Sequence, residues 1–208
     1  VLNEIGNQTF KRVAQTISYL PHFISWIIVA SLLNNLLSPS TGVINAFIQQ
    51  LGGDPIYFLA DKNWFRPILV ISNIWKEIGW SSVVYLAALS GIDPSLYEAA
   101  IVDGATRVQR ITRITLPSIM PIAVTMLILS MGSIMSAGFD QVFNLYSPQV
   151  YDVGDILDTY VYRRGLVDMS YSFSTAVGLF KSVVGLILVV AVNVIAKRLS
   201  PDHEAGLW

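Results

Sequence analysis

Polar side chains recur along one face of an otherwise apolar stretch, residues 67–89. Asn73, Glu77 and Ser81 follow one another at intervals of four, so a helix would align them in a single row. Polar groups inside a membrane span are costly and often functional, which makes this row a candidate path for a polar solute. The residues that we assign to that path are Asn73, Glu77, Trp80 and Ser81.

The same row has a purely structural interpretation. A lone charge inside an apolar segment is expensive, and Glu77 can avoid that cost by pairing with Lys76 or with Lys181 of a later apolar stretch. The sequence alone leaves both interpretations open.

Metal and nucleophile chemistry is nearly excluded by the residue types. The chain has no cysteine, which removes disulfides, thiolate metal sites and thiol nucleophiles. Its two histidines cannot easily form a metal-binding pair or a Ser-His-Asp relay. We therefore expect no catalytic residue, no metal and no cofactor. His22 follows Pro21 in an apolar run, and we expect it to donate a hydrogen bond at a helix kink.

The composition indicates a membrane protein. Of the 208 residues, 53% are hydrophobic and only 13% are charged, about half of the ~25% that is usual in soluble proteins. No charged residue falls between Arg12 and Asp54, or between Arg113 and Asp140. The 13 Lys and Arg and 14 Asp and Glu nearly cancel, so no nucleic-acid partner is expected.

Four stretches have the roughly 20 mostly apolar residues that a membrane-crossing helix needs. They are residues 18–37, 67–89, 119–139 and 175–196. The sequence therefore predicts an all-α, polytopic membrane protein in which residues 1–208 form one transmembrane domain.

The distribution of Lys and Arg predicts the orientation, because loops rich in them stay in the cytoplasm. The N-terminal stretch, the middle connection and the tail carry seven such residues: Lys11, Arg12, Arg107, Arg110, Arg113, Lys197 and Arg198. The two other connections, 38–66 and 140–174, carry four: Lys62, Arg66, Arg163 and Arg164. We expect both termini of this chain and the middle loop to be cytoplasmic.

The middle loop, residues 93–117, begins with the signals of a short helix. Asp93 suits an N-cap, and Pro94 suits the first helical position. The helix is expected to run through Val102 and to stop at Asp103 and Gly104, because glycine accepts the left-handed conformation that closes many helices.

A second helix is expected to start directly afterwards. Thr106 and Gln109 have the spacing of a capping box. Pro117 and Pro121 are expected to mark the end of this helix and the start of the next span.

Two functions suit a pair of short helices between spans. They can rest on the lipid headgroups as interfacial helices. Alternatively, they can dock on a cytoplasmic protein, whose backbone could approach closely at the small residues Ala99, Ala100 and Gly104.

The loop resembles the EAA motif of permease subunits of ATP-binding-cassette (ABC) importers. That motif reads Glu-Ala-Ala, three residues, Gly, nine residues, Ile, one residue, Leu-Pro. Every fixed position is present here: Glu98, Ala99, Ala100, Gly104, Ile114, Leu116 and Pro117. The resemblance implies that these residues, together with Asp103, form a coupling element that seats on an ATPase subunit and transmits its movements to the spans.

Four further stretches resemble the branch of type I importer permeases that takes up oligosaccharides or polysaccharide fragments with a lipid-anchored binding protein. They are residues 19–26, 65–72, 178–185 and 206–208. Such permeases usually have six spans, so two N-terminal spans are expected to be missing from this sequence.

The resemblance implies a non-enzymatic permease subunit that moves a carbohydrate across the cell membrane. Its expected partners are a second permease subunit, two ATPase subunits, an extracytoplasmic solute-binding lipoprotein, the sugar and membrane lipid. The sequence contains no phosphate-binding Gly-x-x-x-x-Gly-Lys-Ser/Thr loop, so a partner is expected to hydrolyse the ATP. The alternatives are an importer permease for a non-sugar solute and an ion-coupled transporter that uses Glu77, Lys76 and Lys181.

The two external connections differ in character. Residues 43–51 have apolar side chains at helical spacing, which predicts an amphipathic helix on the outer membrane interface. The later connection interleaves acids with five tyrosines, at positions 146, 151, 160, 162 and 171. These rings could contact a sugar or a binding protein, or could anchor the chain as an aromatic belt.

Overall fold

A computed structural model describes residues 8–136 and 138–199. Within these ranges the chain is helical and has no strand, which confirms the predicted all-α fold. The α-helices are α1 (Gln8–Tyr19), α2 (Trp26–Leu37), α3 (Val43–Gln50), α4 (Lys62–Ser90), α5 (Pro94–Val102), α6 (Arg107–Arg110), α7 (Leu116–Gly132), α8 (Phe139–Leu145), α9 (Tyr151–Gly154), α10 (Leu157–Tyr162) and α11 (Tyr171–Leu199). Stretch 206–208, used above for the resemblance, lies outside the described residues.

The chain divides into two compact units. The first unit comprises Thr16–Gly79 and Met135–Phe180. The second comprises Trp80–Ile134, together with the described residues before Thr16 and after Phe180. The long helices α4 and α11 each contribute to both units.

The core of the first unit forms around Phe65 of α4, whose side chain is fully buried. It packs with Ala30 of α2, Leu145 of α8 and Val150. Gly154 lies so close to the Phe65 ring that an added Cβ would overlap it. This packing fixes the short helices α8 and α9 against the longer ones.

The predicted helix at residues 43–51 is present as α3, and a buried amide fixes its position. The Asn45 side chain donates to the carbonyl oxygens of Leu37 (3.2 Å), Ser38 (3.1 Å) and Ile56 (2.9 Å). Its own oxygen accepts from the Ile56 N–H at 2.7 Å. A buried amide is stable only when bonded in this way, so Asn45 ties the loops on both sides of α3 together.

Two helices among the described residues are long and apolar enough to cross a bilayer alone: Arg107–Gly132 and Tyr171–Arg198. The segments Arg12–Phe23 and Trp26–Leu37 would make a third span if counted together, but they are bent by 100°. Helix α4 has 29 residues, which is sufficient length, and includes both Lys76 and Glu77. The four spans therefore remain a prediction, and the first of them is not a continuous helix.

The expectation that Pro117 and Pro121 separate a short helix from the next span is wrong. Helix α6 continues through a π-helical turn, Ile111–Thr115, directly into α7. Pro117 lies in the first turn after that segment, and Pro121 lies inside α7. Local π geometry is one way in which a membrane helix accommodates proline, because its bonding pattern changes where the ring removes an N–H.

The third apolar stretch ends earlier than its hydropathy suggests. Helix α7 stops at Gly132, and a turn precedes α8. The hydroxyls of Ser130 and Ser133 donate back to the carbonyls of Leu127 (2.8 Å) and Ser130 (3.1 Å). Side-chain bonds of this kind compete with helical ones and favour a helix end near glycine.

Candidate functional site

The coupling loop starts as its sequence predicts. The Asp93 carboxylate caps α5 by accepting a hydrogen bond from the Ser95 N–H at 2.9 Å. That bond favours the charged carboxylate and lowers the pKa of Asp93 below its ordinary value. Pro94 opens the helix, and Val102 is its last residue. The predicted cap and bounds are confirmed.

Gly104 forms the turn that closes α5. Its φ angle is +75°, in the left-handed region that a residue with a Cβ adopts only at a cost. The Ala105 N–H donates to the Ala100 carbonyl at 2.8 Å, and the Asp103 N–H donates to the Ala99 carbonyl at 3.0 Å. Among the described residues other than the two chain neighbours of Gly104, no atom lies within 4 Å of where its Cβ would be. The glycine is therefore required for its backbone conformation and not for space within this chain.

The second half of the loop has the predicted capping box. The Thr106 hydroxyl accepts from the Gln109 N–H, and the Gln109 side chain accepts from the Thr106 N–H at 2.7 Å. A further hydrogen bond, which the sequence did not indicate, joins the hydroxyls of Tyr97 and Thr115 at 2.8 Å. This bond links α5 to the π turn, so the two arms of the loop are tied to each other.

The residues of the EAA motif present an open surface in the described chain. No residue of α5 is buried, and Val102 at its end is 87% exposed. Six of the assigned residues are exposed: Glu98, Ala99, Asp103, Gly104, Leu116 and Pro117. Ala100 and Ile114 are half-buried. A mostly exposed surface with apolar side chains is typical of a site that docks on another protein.

A second candidate site lies in the first unit, at the bend between α1 and α2, which we call the elbow (residues 20–25). Leu20–Phe23 form a 3₁₀ turn with Pro21 near its start. Ser25 caps α2 from an extended conformation. Proline and the tight 3₁₀ turn account for the sharp change of direction.

Two charged residues of α4 hold the elbow. Lys76 is only 5% exposed, and its ammonium donates to the His22 carbonyl at 2.6 Å. The Glu77 carboxylate lies 2.8 Å from Nδ1 of His22 and 3.6 Å from the Lys76 ammonium. The Trp26 ring lies 5.6 Å from the same ammonium. This group, Lys76, Glu77 and His22, is the elbow network.

The end of α1, just before the elbow, also meets α4 backbone to backbone. An added Cβ at Gly79 would overlap the carbonyl oxygen of Ser18, so these two segments are in the closest possible contact. Lys76 lies 14 positions after the first residue of α4, about 21 Å along a helix that rises 1.5 Å per residue. The network therefore lies near the middle of a helix that is long enough to cross a bilayer.

The residues that we assigned to a solute path differ in their exposure and in their contacts. Asn73 is exposed, and Glu77 is partly exposed while it takes part in the elbow network. Trp80 and Ser81, in the second unit, are exposed. The structural interpretation of Glu77 as a partner of Lys76 agrees with the observed distance. The kink-associated bond expected of His22 is present as well.

An arginine cluster in the later connection, residues 140–174, was not indicated by the sequence. The Arg163 guanidinium pairs with Asp155 and lies 4.4 to 5.9 Å from the rings of Tyr151, Tyr146 and Tyr160. Burial opposes ionisation of Asp155, but bonds from Arg163 and Thr159 outweigh it and lower the pKa of that carboxyl. Burial raises the pKa of the Tyr146 hydroxyl. The cluster joins α9, α10 and the π-helical turn Arg163–Val167 to one another.

Residues 1–201 match the family described as the binding-protein-dependent transport system inner membrane component. The chain belongs to this family. Protein LplB of Bacillus subtilis (strain 168) is 48% identical over 202 residues, which are 97% of this chain and 64% of LplB. The polygalacturonan/rhamnogalacturonan transport system permease protein YteP of the same organism is 46% identical over 208 residues, 100% of this chain and 64% of YteP. The family member described here thus spans less than two thirds of the length of these relatives.

A solved structure has the same fold as this family member. The crystal structure of a bacterial ABC transporter involved in the import of the acidic polysaccharide alginate superposes with a TM-score of 0.92 at 48% identity. The match covers 96% of this chain and 70% of that chain. A second structure, of the alginate transporter in complex with an alginate pentasaccharide-bound periplasmic protein, has a TM-score of 0.91. The predicted importer permease fold is confirmed.

Proposed function

We propose that the chain is a permease subunit of an ABC importer that moves a carbohydrate, an oligosaccharide in particular, across the cell membrane. It works with a second permease subunit, two ATPase subunits and an extracytoplasmic solute-binding protein. The chain itself performs no catalysis, and its partners hydrolyse the ATP. Relatives named for polygalacturonan, rhamnogalacturonan and alginate transport support this class of cargo.

The observation that carries the proposal is the geometry of the coupling loop. A capped helix, a left-handed glycine and a second capped helix present Glu98, Ala99, Asp103 and Gly104 at one exposed turn. The Tyr97–Thr115 bond and the unbroken passage of α6 into α7 make this turn an extension of a long apolar helix. A displacement of α5 by an ATPase subunit would therefore be transmitted to the membrane-spanning helix through ordered structure and not through a flexible linker.

Replacing Gly104 tests this role. Gly104→Val forces a β-branched residue into the left-handed region, which costs about 1–2 kcal/mol or more and shifts the docking turn. We expect substrate-stimulated ATP hydrolysis and uptake by the reconstituted complex to fall at least tenfold. Gly91→Ala is the matched control, since its Cβ meets only ordinary contacts and its φ is not positive. Normal uptake by Gly104→Val would refute the coupling role.

The same reconstitution separates the proposal from an ion-coupled mechanism. Uptake must depend on ATP and on the ATPase subunits, whereas accumulation driven by a proton or sodium gradient alone would overturn the proposal.

A chain without cysteine also allows a direct test of orientation. A cysteine at the exposed Gln149 should react with an impermeant maleimide from outside intact cells, and one at Val102 should not. The reverse pattern would invert the proposed topology.

A further inference from the structure

A depression of about 400 Å³ opens in the first unit, beside the start of α11. Its lining is mostly apolar, with three aromatic rings and two aliphatic side chains: Phe139, Tyr162, Tyr171, Val161 and Leu166. Asp158, Ser174 and Gly165 complete it. The volume lies within the usual range of small-molecule sites, roughly 300–1,000 Å³. Neither the coupling loop nor the elbow network includes any of these residues.

Of the aromatic rings that line the depression, one is fixed by its neighbours and another is exposed. The Tyr162 ring lies 4.9 Å from that of Phe143 and 5.7 Å from that of Phe139, so it is held in place. Tyr171 is different, because 60% of its surface is exposed, and among the described residues no ring contact to it is seen. An open ring beside a fixed one provides an apolar face on which a flat, partly apolar ligand can stack.

The polar groups of the depression are hydrogen-bond acceptors. Asp158 precedes Tyr162 by four residues on α10, so the carboxylate and the ring share a face of that helix. The Ser174 hydroxyl donates its proton to the Val161 carbonyl at 3.2 Å, which leaves its oxygen lone pairs to accept. Acceptors of this kind suit a ligand that carries several hydroxyl groups.

The floor of the depression is built from irregular backbone. Residues Arg163–Val167 form a π-helical turn, and Gly165 within it is buried against the Ser174 hydroxyl, where a Cβ would overlap. Met169, two residues after the turn, has a φ of +56°. π turns and left-handed residues other than glycine are unfavourable, and they are found more often at functional sites than elsewhere.

We propose that this depression binds one sugar ring of the transported oligosaccharide, with Tyr171 stacking on its apolar face and with Asp158 and Ser174 accepting from its hydroxyls. The proposal rests on the proposed function and assigns a sugar contact to this subunit. Aromatic stacking combined with acceptors is the chemistry that distinguishes a pyranose from a lipid chain, which offers no donors.

A labelling experiment tests binding without requiring transport. Leu166→Cys lies in the lining of the depression, where Leu166 is 59% exposed, and leaves the Tyr171 ring in place. It supplies the sole thiol within residues 1–208, in a complex that is otherwise made cysteine-free. We expect the rate of maleimide labelling to fall at least threefold with millimolar alginate pentasaccharide or maltopentaose, and to be unchanged with sorbitol. The control is Tyr57→Cys, which is 64% exposed at another position and should show no protection. Equal rates with and without every sugar would overturn the site, and so would equal protection at both positions.

Transport kinetics give the second readout. Tyr171→Ala and Asp158→Asn should raise the oligosaccharide concentration that gives half-maximal uptake by about two- to tenfold, with maximal ATP hydrolysis retained. Tyr57→Ala should match the parent. If Tyr171 is only an aromatic-belt anchor, Tyr171→Trp and Tyr171→Ala will differ in assembly and not in apparent sugar affinity, which refutes the proposal. Protection by sugar in a complex that fails to import it would leave the site standing and refute the proposed function instead.

Discussion

Replacing Lys76 by methionine tests how strongly the elbow network stabilises the protein. Methionine has a similar length, so the change removes the charge and the hydrogen bond with little change in volume. The His22 carbonyl loses the bond that it accepts at 2.6 Å. A hydrogen bond from a charged donor contributes about 1.5–3 kcal/mol, and loss of the ammonium near the Trp26 ring adds about 0.5–1 kcal/mol.

These losses are partly offset, because a buried ammonium carries a desolvation cost that methionine does not have. We expect a net decrease of about 1–3 kcal/mol in the free energy of unfolding. An SDS titration of the purified permease, followed by circular dichroism, measures it. Uptake by the assembled complex should fall in parallel, because the bend between α1 and α2 is no longer held.

A lysine on the same helix provides the control. Lys62 pairs with Asp152, but the side chains of both are more than half exposed, so Lys62→Met should change the free energy by less than about 1 kcal/mol. Adding Glu77→Gln to Lys76→Met should recover part of the loss, since the carboxylate then no longer lacks its neighbouring cation. If Lys76→Met and Lys62→Met have equal effects, the network does not stabilise the elbow.

Two further predictions concern packing and pH. Gly79→Ala should lower the free energy of unfolding by at least about 2 kcal/mol because its Cβ overlaps the Ser18 backbone. The control is Gly178→Ala, whose Cβ meets no atom of the described residues within 4 Å outside its own helix backbone. It should be neutral or stabilising in the same SDS titration. The pKa of Asp155 is lowered in the folded protein, so its stabilising effect is complete above the ordinary pKa of about 3.9 and is lost as the pH falls through the lowered value. Thermal unfolding of the parent should therefore show a larger acid-dependent loss of stability than that of Asp155→Asn, and identical pH profiles would contradict the role of the Asp155–Arg163 pair.

The sequence was most informative where a few adjacent residues decide the structure. The cap at Asp93, the left-handed Gly104 and the Thr106 capping box each depend on chemistry within four residues, and all three are present. The helix α3 follows in the same way from apolar side chains at helical spacing. Local signals of this kind do not require knowledge of distant partners.

The sequence was least informative where the partner is far away in the chain or is a backbone atom. Lys76 and His22 are separated by 54 positions, and the acceptor is a carbonyl that every residue possesses. No pattern of residue types distinguishes that carbonyl from its neighbours. The bond from Gln141 to the Ser72 hydroxyl, across 69 positions, was missed for the same reason. Hydropathy also did not indicate the π turn that carries the chain past Pro117.

The elbow network changes how the polar residues of α4 should be interpreted. Charged residues inside a span are usually taken as functional because their burial is so costly. Lys76 offsets part of that cost by donating to the His22 carbonyl in the 3₁₀ turn, so the bend and the buried charge stabilise each other. Glu77 is less enclosed and keeps 36% of its side chain exposed. Of the two adjacent charges, Glu77 is therefore the one that a solute could reach while the bond from Lys76 to the His22 carbonyl stays in place, and the exposed Asn73 lies one turn before it.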